Sequence, residues 1–221
     1  MTVWAKHLGA VLYTGDSTCL GPVATGGWRA TVTAGLVSAA YSHRVVGSVS
    51  YTGLCYGIAA KALSDFMDAG SNPLSTEITN TRPFVVVLSQ IFNDFRSGDG
   101  IGGPGDLTTI AARMTTLLGQ IYAVAPWLRV VIPQSLTVVS GDPAGWPVYD
   151  LAGCNAAISA WNATVGPATV AAQVALGRRV RFGGAYANPV RSDFVHPVDG
   201  ATGTDLMAAP ILAAIQAIKP A

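Results

Sequence analysis

The sequence predicts a single α/β domain, residues 1–221, in which a parallel sheet is covered by helices on both faces. Three observations carry this. Short apolar, β-branched runs alternate with helix-length segments, the pattern of consecutive βαβ units. Runs such as Phe84–Leu88 are continuously hydrophobic, as strands buried on both faces require. The chain of 221 residues suits one large domain with a full core of its own, and it holds no internal repeat, heptad or low-complexity tract.

In chain order, Trp4 to Thr14 reads as the first strand, and Gly15 to Leu20 as the turn that leaves it. Gly21-Pro22 and Gly26-Gly27 form a loop before a helix over Trp28 to Ala40. The second strand is Arg44 to Val49. The stretch Tyr51 to Gly57 then turns into a helix over roughly Ile58 to Ala69. Asn72 to Arg82 is polar and turn-rich, and Pro83 opens the third strand, Phe84 to Ser89. Between Ser97 and Asp106 glycine recurs too often for regular structure. Asp106 is a good N-cap for a helix over Leu107 to Val124. A fourth strand starts at Leu128 to Pro133, a Gly/Pro-rich loop covers Ser140 to Trp146, and helices follow at Tyr149 to Trp161 and Ala168 to Leu176. The fifth strand is Arg179 to Gly183. A loop from Asn188 to Gly203 leads to a last helix over Thr204 to Ile218.

Composition narrows the function classes. With 13 basic and 12 acidic residues the formal net charge is +1. No basic run appears, so the electrostatic footprint of a nucleic-acid binder is missing. Charged residues make up 11% of the chain, against about 25% in an ordinary soluble domain. Either the surface is unusually neutral, or a partner covers part of it, a second copy of the chain being one candidate. No apolar run reaches the roughly 18 residues that span a bilayer. The N-terminus shows no signal-peptide pattern, which fits a cytoplasmic protein or a secreted one already processed. The three cysteines, Cys19, Cys55 and Cys154, lack metal-ligand spacing and read as small core residues. A Cys19–Cys55 disulfide is the alternative, should the turns that carry them meet.

In a parallel α/β sheet, ligands sit beyond the carboxyl ends of the strands. Here those ends are Gly15-Asp16-Ser17, the turn around Gly53, Asn93-Asp94, the loop from Ser140, and the approach to Asp193–His196. A serine needs a base within hydrogen-bond reach and an orienting partner for that base. Of the three histidines, His7 and His43 fall at the amino ends of strands, and only His196 follows a strand. That makes Ser17 the nucleophile candidate, His196 the base and Asp193, three residues earlier, its orienting acid. Candidate oxyanion donors are the Ser17 backbone N–H, Gly53 and the Asn93 carboxamide, which donates without adding charge. Asp16 and Asp94 are expected to accept hydrogen bonds from nearby loop amides. Trp146 and Tyr149 are candidates for an aromatic wall beside the substrate.

These residues resemble the blocks of the SGNH hydrolases, the GDSL esterase/lipase family. Gly15-Asp16-Ser17 looks like the first block, Gly53 within Gly47–Gly57 the second, Asn93-Asp94 the third, and Asp193-Phe194-Val195-His196-Pro197 the last. Ile91 stands where the family usually has glycine. The resemblance implies a three-layer α/β/α sandwich with a five-stranded parallel, flavodoxin-like sheet. It also implies acyl hydrolysis or transfer through a serine ester, with no cofactor and no metal. The loop chemistry favours a short acyl group, acetyl foremost, on a neutral alcohol or sugar. The alternatives are a longer-chain lipase or thioesterase, and a non-catalytic glycan-binding or assembly module.

Overall fold

The computed structural model describes residues 6–16, 19, 27–50, 54–58, 61–89, 92–97, 106–137, 151–186, 189, 196–198 and 200–218. Its centre is β1 (Lys6–Gly15), which is buried from Ala10 onward. On one side β1 pairs in parallel with β2 (Tyr41–Val46) through its first half and with β4 (Leu54–Gly57) at its end. On the other side lies β5 (Val85–Ser89), followed by β6 (Arg129–Ile132) and β7 (Arg179–Phe182), all parallel. Five strand positions therefore run across the sheet, β2 and β4 sharing one. A two-residue β3 (Val49–Ser50) adds to β4 antiparallel.

Alternation along the strands sorts the core into two layers. Leu12, Val86, Leu88, Val130, Ile132 and Val180 face one side. They meet α2 (Leu63–Phe66), α3 (Leu74–Thr81), α5 (Leu107–Val124) and the α6–α7 pair (Leu151–Ala160 and Gly166–Ala175). Val11, Tyr13, Val85, Val87 and Val131 face the other side, against α1 (Gly27–Ser38) and α8 (Thr204–Ile218). Leu8 joins this second layer although its parity differs from that of Val11 and Tyr13. The register with β2 shifts between His7 and Gly9, and Gly9 sits at φ +80°. That bulge reverses the parity, and it needs a residue that tolerates positive φ.

Several expectations change here. The helix expected over 58–69 shrinks to α2, because β4 takes the preceding residues into the sheet. The polar stretch 72–82 contains α3, which buries Leu74 and Ile78, one turn apart, together with Ser75, whose hydroxyl donates to Asp68, and Glu77, which accepts from the Ser48 N–H. The second strand begins at Tyr41, so His43 lies inside β2 rather than before it, its Nδ1 3.3 Å from the Tyr41 carbonyl. The two helices expected around 149–176 run on as one. Pro167 lacks the N–H that a continuous α-helix needs, and the chain absorbs this as a π turn over Trp161–Val165, with the Gly166 N–H donating to the Trp161 carbonyl. The helices 107–124 and 204–218 fall where the sequence places them.

α1 and α8 share a direction. Thr31 Oγ1 donates to the Asp205 carboxylate near their starts, at 2.5 Å, and Leu212 packs against Gly35 further along. Both begin at the carboxyl ends of the strands. The loop between β7 and α8, which carries His196, therefore lies on that rim too. Among the described residues no helix is long and apolar enough to cross a membrane, and no group of His, Cys, Asp or Glu side chains could hold a metal ion.

Candidate active site

The end of β1 is built for close approach. A Cβ on Gly15 would lie 2.3 Å from the Ser89 carbonyl oxygen and 2.6 Å from Cys19 Cβ, so only glycine lets the turn fold back against β5. The Gly15 carbonyl accepts from the Ile58 N–H at 2.8 Å, and the Cys19 N–H donates to the Asp16 carbonyl at 3.0 Å. These bonds fix the chain on both sides of Ser17. The end of β1 lies between β4, reached on one side, and β5, reached on the other. This is the switch point of the strand order, where a crevice opens in open α/β sheets.

Asn93 and Asp94, expected at the end of the third strand, lie in the first turn of a short helix, α4 (Phe92–Ser97). Both are buried. The Asn93 carboxamide N–H₂ donates to the Lys61 carbonyl at 2.9 Å and to the Asp16 carboxylate at 3.4 Å. Asp94 accepts from the Leu63 N–H at 2.9 Å and pairs with Arg113 at 3.3 Å. Adjacent residues of α4 thus clasp the segment 61–63 at two points. Asp94 accepts from a backbone amide, though from the first residue of α2 rather than from a loop as expected. Arg113, a residue the sequence reading did not single out, supplies its counter-charge from α5.

His196 is half-buried and precedes a buried Pro197. Just beyond it the Val198 carbonyl accepts from the Thr204 N–H at 2.9 Å, which ties this segment to the start of α8. The loop that leaves β6 is anchored as well. The Asn162 carboxamide both donates to the Ser135 carbonyl at 2.8 Å and accepts from the Ser135 N–H at 2.9 Å. Asn162 sits in the π turn, a kind of helix irregularity that often supports a functional loop. Ser17, Gly53, Trp146, Tyr149 and Asp193 lie outside the described residues.

The three cysteines are free thiols and all are buried, so the alternative of a Cys19–Cys55 bridge is overturned. Its premise holds in part, since both residues pack in the same layer of the core. Burial pushes the Cys19 thiol well up, with the Arg29 charge opposing and the neighbouring Cys55 adding to the rise. A protonated, inaccessible thiol is no nucleophile, although it stands two residues from Ser17. Burial likewise pushes the Tyr13 hydroxyl up to about 12, against its hydrogen bond with Thr33. Beside it an apolar recess of about 360 Å³ opens between α1 and the β2/β4 edge, lined in part by Tyr13, Arg29, Val45 and Leu54.

No protein-family model and no curated protein matches the chain. Solved structures do. The Clostridium thermocellum family 3 carbohydrate esterase superposes with a TM-score of 0.70 at 19% identity, over 97% of this chain and 100% of that one. The Sinorhizobium meliloti carbohydrate acetylesterase Est24 gives 0.67 at 17% identity, over 95% and 97%. A GDSL-like lipase from Bacteroides thetaiotaomicron gives 0.58 at 18% identity, over 94% and 88%. These likenesses run along nearly the whole length of each chain, and with the observed strand order they establish the architecture: the chain is built on the SGNH hydrolase fold.

Proposed function

We propose that the chain is a serine esterase that removes short acyl groups, acetyl foremost, from a neutral alcohol or a carbohydrate ester. The contact between Asn93 and Asp16 carries this reading. A carboxamide 77 positions away in sequence donates to the residue immediately before Ser17. The first and third blocks of the predicted site thus adjoin at the switch point of the sheet. The half-buried His196 on a loop of the same rim supports it further, as do the acetylesterase and carbohydrate esterase neighbours.

In this reading Ser17 Oγ attacks the ester carbonyl carbon while His196 takes its proton, and Asp193 steadies the imidazolium. The carbonyl oxygen gains the negative charge. It is received by the Ser17 backbone N–H, by the N–H of Gly53 and by the Asn93 amino group, which exchanges its longer bond, the one to Asp16, for the oxyanion. The alcohol leaves with the proton from His196. Water then attacks the acyl-serine by the same route, releasing the acid and restoring Ser17. Trp146 and Tyr149 flank the alcohol side. No step calls for a metal or an organic cofactor.

Hydrolysis of p-nitrophenyl acetate by wild type and Ser17→Ala tests the proposal, together with mapping of the residue labelled by a serine-directed phosphonate. Turnover lost in the variant and label on Ser17 are expected. Equal rates in the two proteins would overturn the esterase reading in favour of a binding module. A rate that climbs steadily with acyl length would overturn the short-acyl part alone.

A further inference from the structure

The opposite rim of the sheet has a character of its own. Six large hydrophobic side chains are exposed among the described residues, and five of them, Val37, Val124, Trp127, Val174 and Leu176, lie where a helix ends and a strand begins. The sixth, Leu54, lies in the β3–β4 hairpin. α1, α5 and α7 each run antiparallel to the strand that follows, so these positions converge on the amino ends of β2, β6 and β7. Scattered apolar exposure is ordinary; gathered at one end of the molecule it marks an interaction surface.

Cations share this rim. Arg82 and Arg179 are exposed, just before β5 and at the start of β7. Arg178 lies over the Tyr122 ring, 5.4 Å from its centre. Arg129, the first residue of β6, is buried 4.4 Å above the Phe84 ring, and its Nη1 has no hydrogen-bond partner. No Asp or Glu occurs in the helix-to-strand turns at 39–40, 82–84, 125–128 or 176–178. Asp16, Asp94, Asp106 and Asp205 belong to the carboxyl rim, while the exposed Asp68 lies beside the C-terminal half of α5, its N–H donating to Gln120 Oε1 at 3.1 Å.

We propose that the amino rim docks on a membrane surface rich in anionic phospholipid, with Trp127 and Leu176 entering the headgroup layer and Arg82, Arg178 and Arg179 meeting lipid phosphates. Tryptophan beside arginine on protruding turns is the chemistry of the bilayer interface, where each basic side chain gains from the negative surface potential. The apolar tips stand on separate turns from β2 across to β7, which suits a planar partner better than a peptide. A second copy is disfavoured, because two such rims face to face would set arginine against arginine. Docked this way, the molecule holds its carboxyl rim, with Asp16 and Asn93, away from the lipid.

Co-sedimentation of the full chain with vesicles of phosphatidylcholine, with and without phosphatidylglycerol, tests the proposal. We expect binding to the anionic vesicles that weakens as salt rises. The double variants Trp127→Ala/Leu176→Ala and Arg82→Glu/Arg179→Glu should each reduce it by about tenfold or more. Both should keep the wild-type circular dichroism and the wild-type rate on a soluble ester, since the substitutions lie at the far end of the strands. No binding to anionic vesicles, or binding unchanged in both variants, would overturn the proposal. So would a wild-type dimer that the tryptophan–leucine variant converts to monomer, which would give the rim to a second copy.

Discussion

The two rims of the sheet are made from the same strands and share almost no chemistry. At the carboxyl rim polar side chains are buried and paired: Asn93 with Lys61 and Asp16, Asp94 with Leu63 and Arg113. At the amino rim apolar side chains are exposed, and Arg82 and Arg179 are exposed at the turns that enter β5 and β7. A parallel sheet imposes part of this difference. All strands end together, so their following loops can converge on one reacting atom, while the turns that enter the strands have only to reverse the chain. What the fold does not impose is a sign of charge or exposed tryptophan at the entering turns. A difference that the topology does not require calls for a second use of the molecule.

The largest effect that would sharpen this contrast is at Ser17. Replacement by alanine should lower kcat on p-nitrophenyl acetate by a factor of about 10³ or more, with the far-UV circular dichroism unchanged. Next comes Asn93. If its amino group receives the oxyanion, Asn93→Ala should cost about 10²–10³ in kcat with little change in KM. A loss that appears in the melting temperature and leaves kcat intact would make Asn93 a clasp of the 61–63 segment only.

Arg113→Met should act on stability first. Asp94 is fully buried, and Arg113→Met takes away the cation 3.3 Å from its carboxylate. Removing one partner of a buried pair costs about 3–5 kcal/mol, and the partial exposure of Arg113 brings the expected loss to about 2 kcal/mol, read from urea unfolding. Asp94→Leu in the same background should recover part of it, because the stranded charge is then gone. No recovery would mean that Asp94 is held by its hydrogen bond to Leu63 rather than by the ion pair.

How far the sequence carries depends on where the information sits. The helix 107–124 was legible because Asp106 caps it and its apolar positions recur every three to four residues. The α3 helix was not, because its core contact is only Leu74 and Ile78 and its remaining residues read as loop; tertiary packing decides such short helices. The β3–β4 hairpin hides in a stretch where Gly57 and Ser50 resemble a turn, and what makes β4 a strand is the end of β1 lying beside it, a partner forty residues away. At the site, the strand-end pattern led to the expectation that Asn93 and His196 share one rim. It missed Arg113, because a counter-ion arriving from another helix has no local signature. Asn93 was expected at a strand end rather than in a helix, since the helix that holds it spans only Phe92–Ser97.

The smallest effect is at Asp106, the exposed cap that starts α5 on the carboxyl rim. Its carboxylate accepts from the Thr108 N–H at 3.0 Å and the Thr109 N–H at 3.3 Å, and these bonds hold its pKa below the usual aspartate value. A group whose folded pKa is depressed contributes fully above its unfolded pKa and loses that contribution as the pH falls through the folded one. Asp106→Ala should therefore lower the melting temperature by about 2–4 °C at pH 7, a usual cap effect in a chain of this size. The gap from wild type should narrow once the pH drops below about 4. A gap constant down to pH 3 would show that the alanine acts by changing the loop rather than by removing the charged cap. Because the cap is exposed and surrounded by water, raising the salt concentration should shrink the same gap at neutral pH, whereas the loss in Arg113→Met, set by a buried carboxylate, should hardly respond.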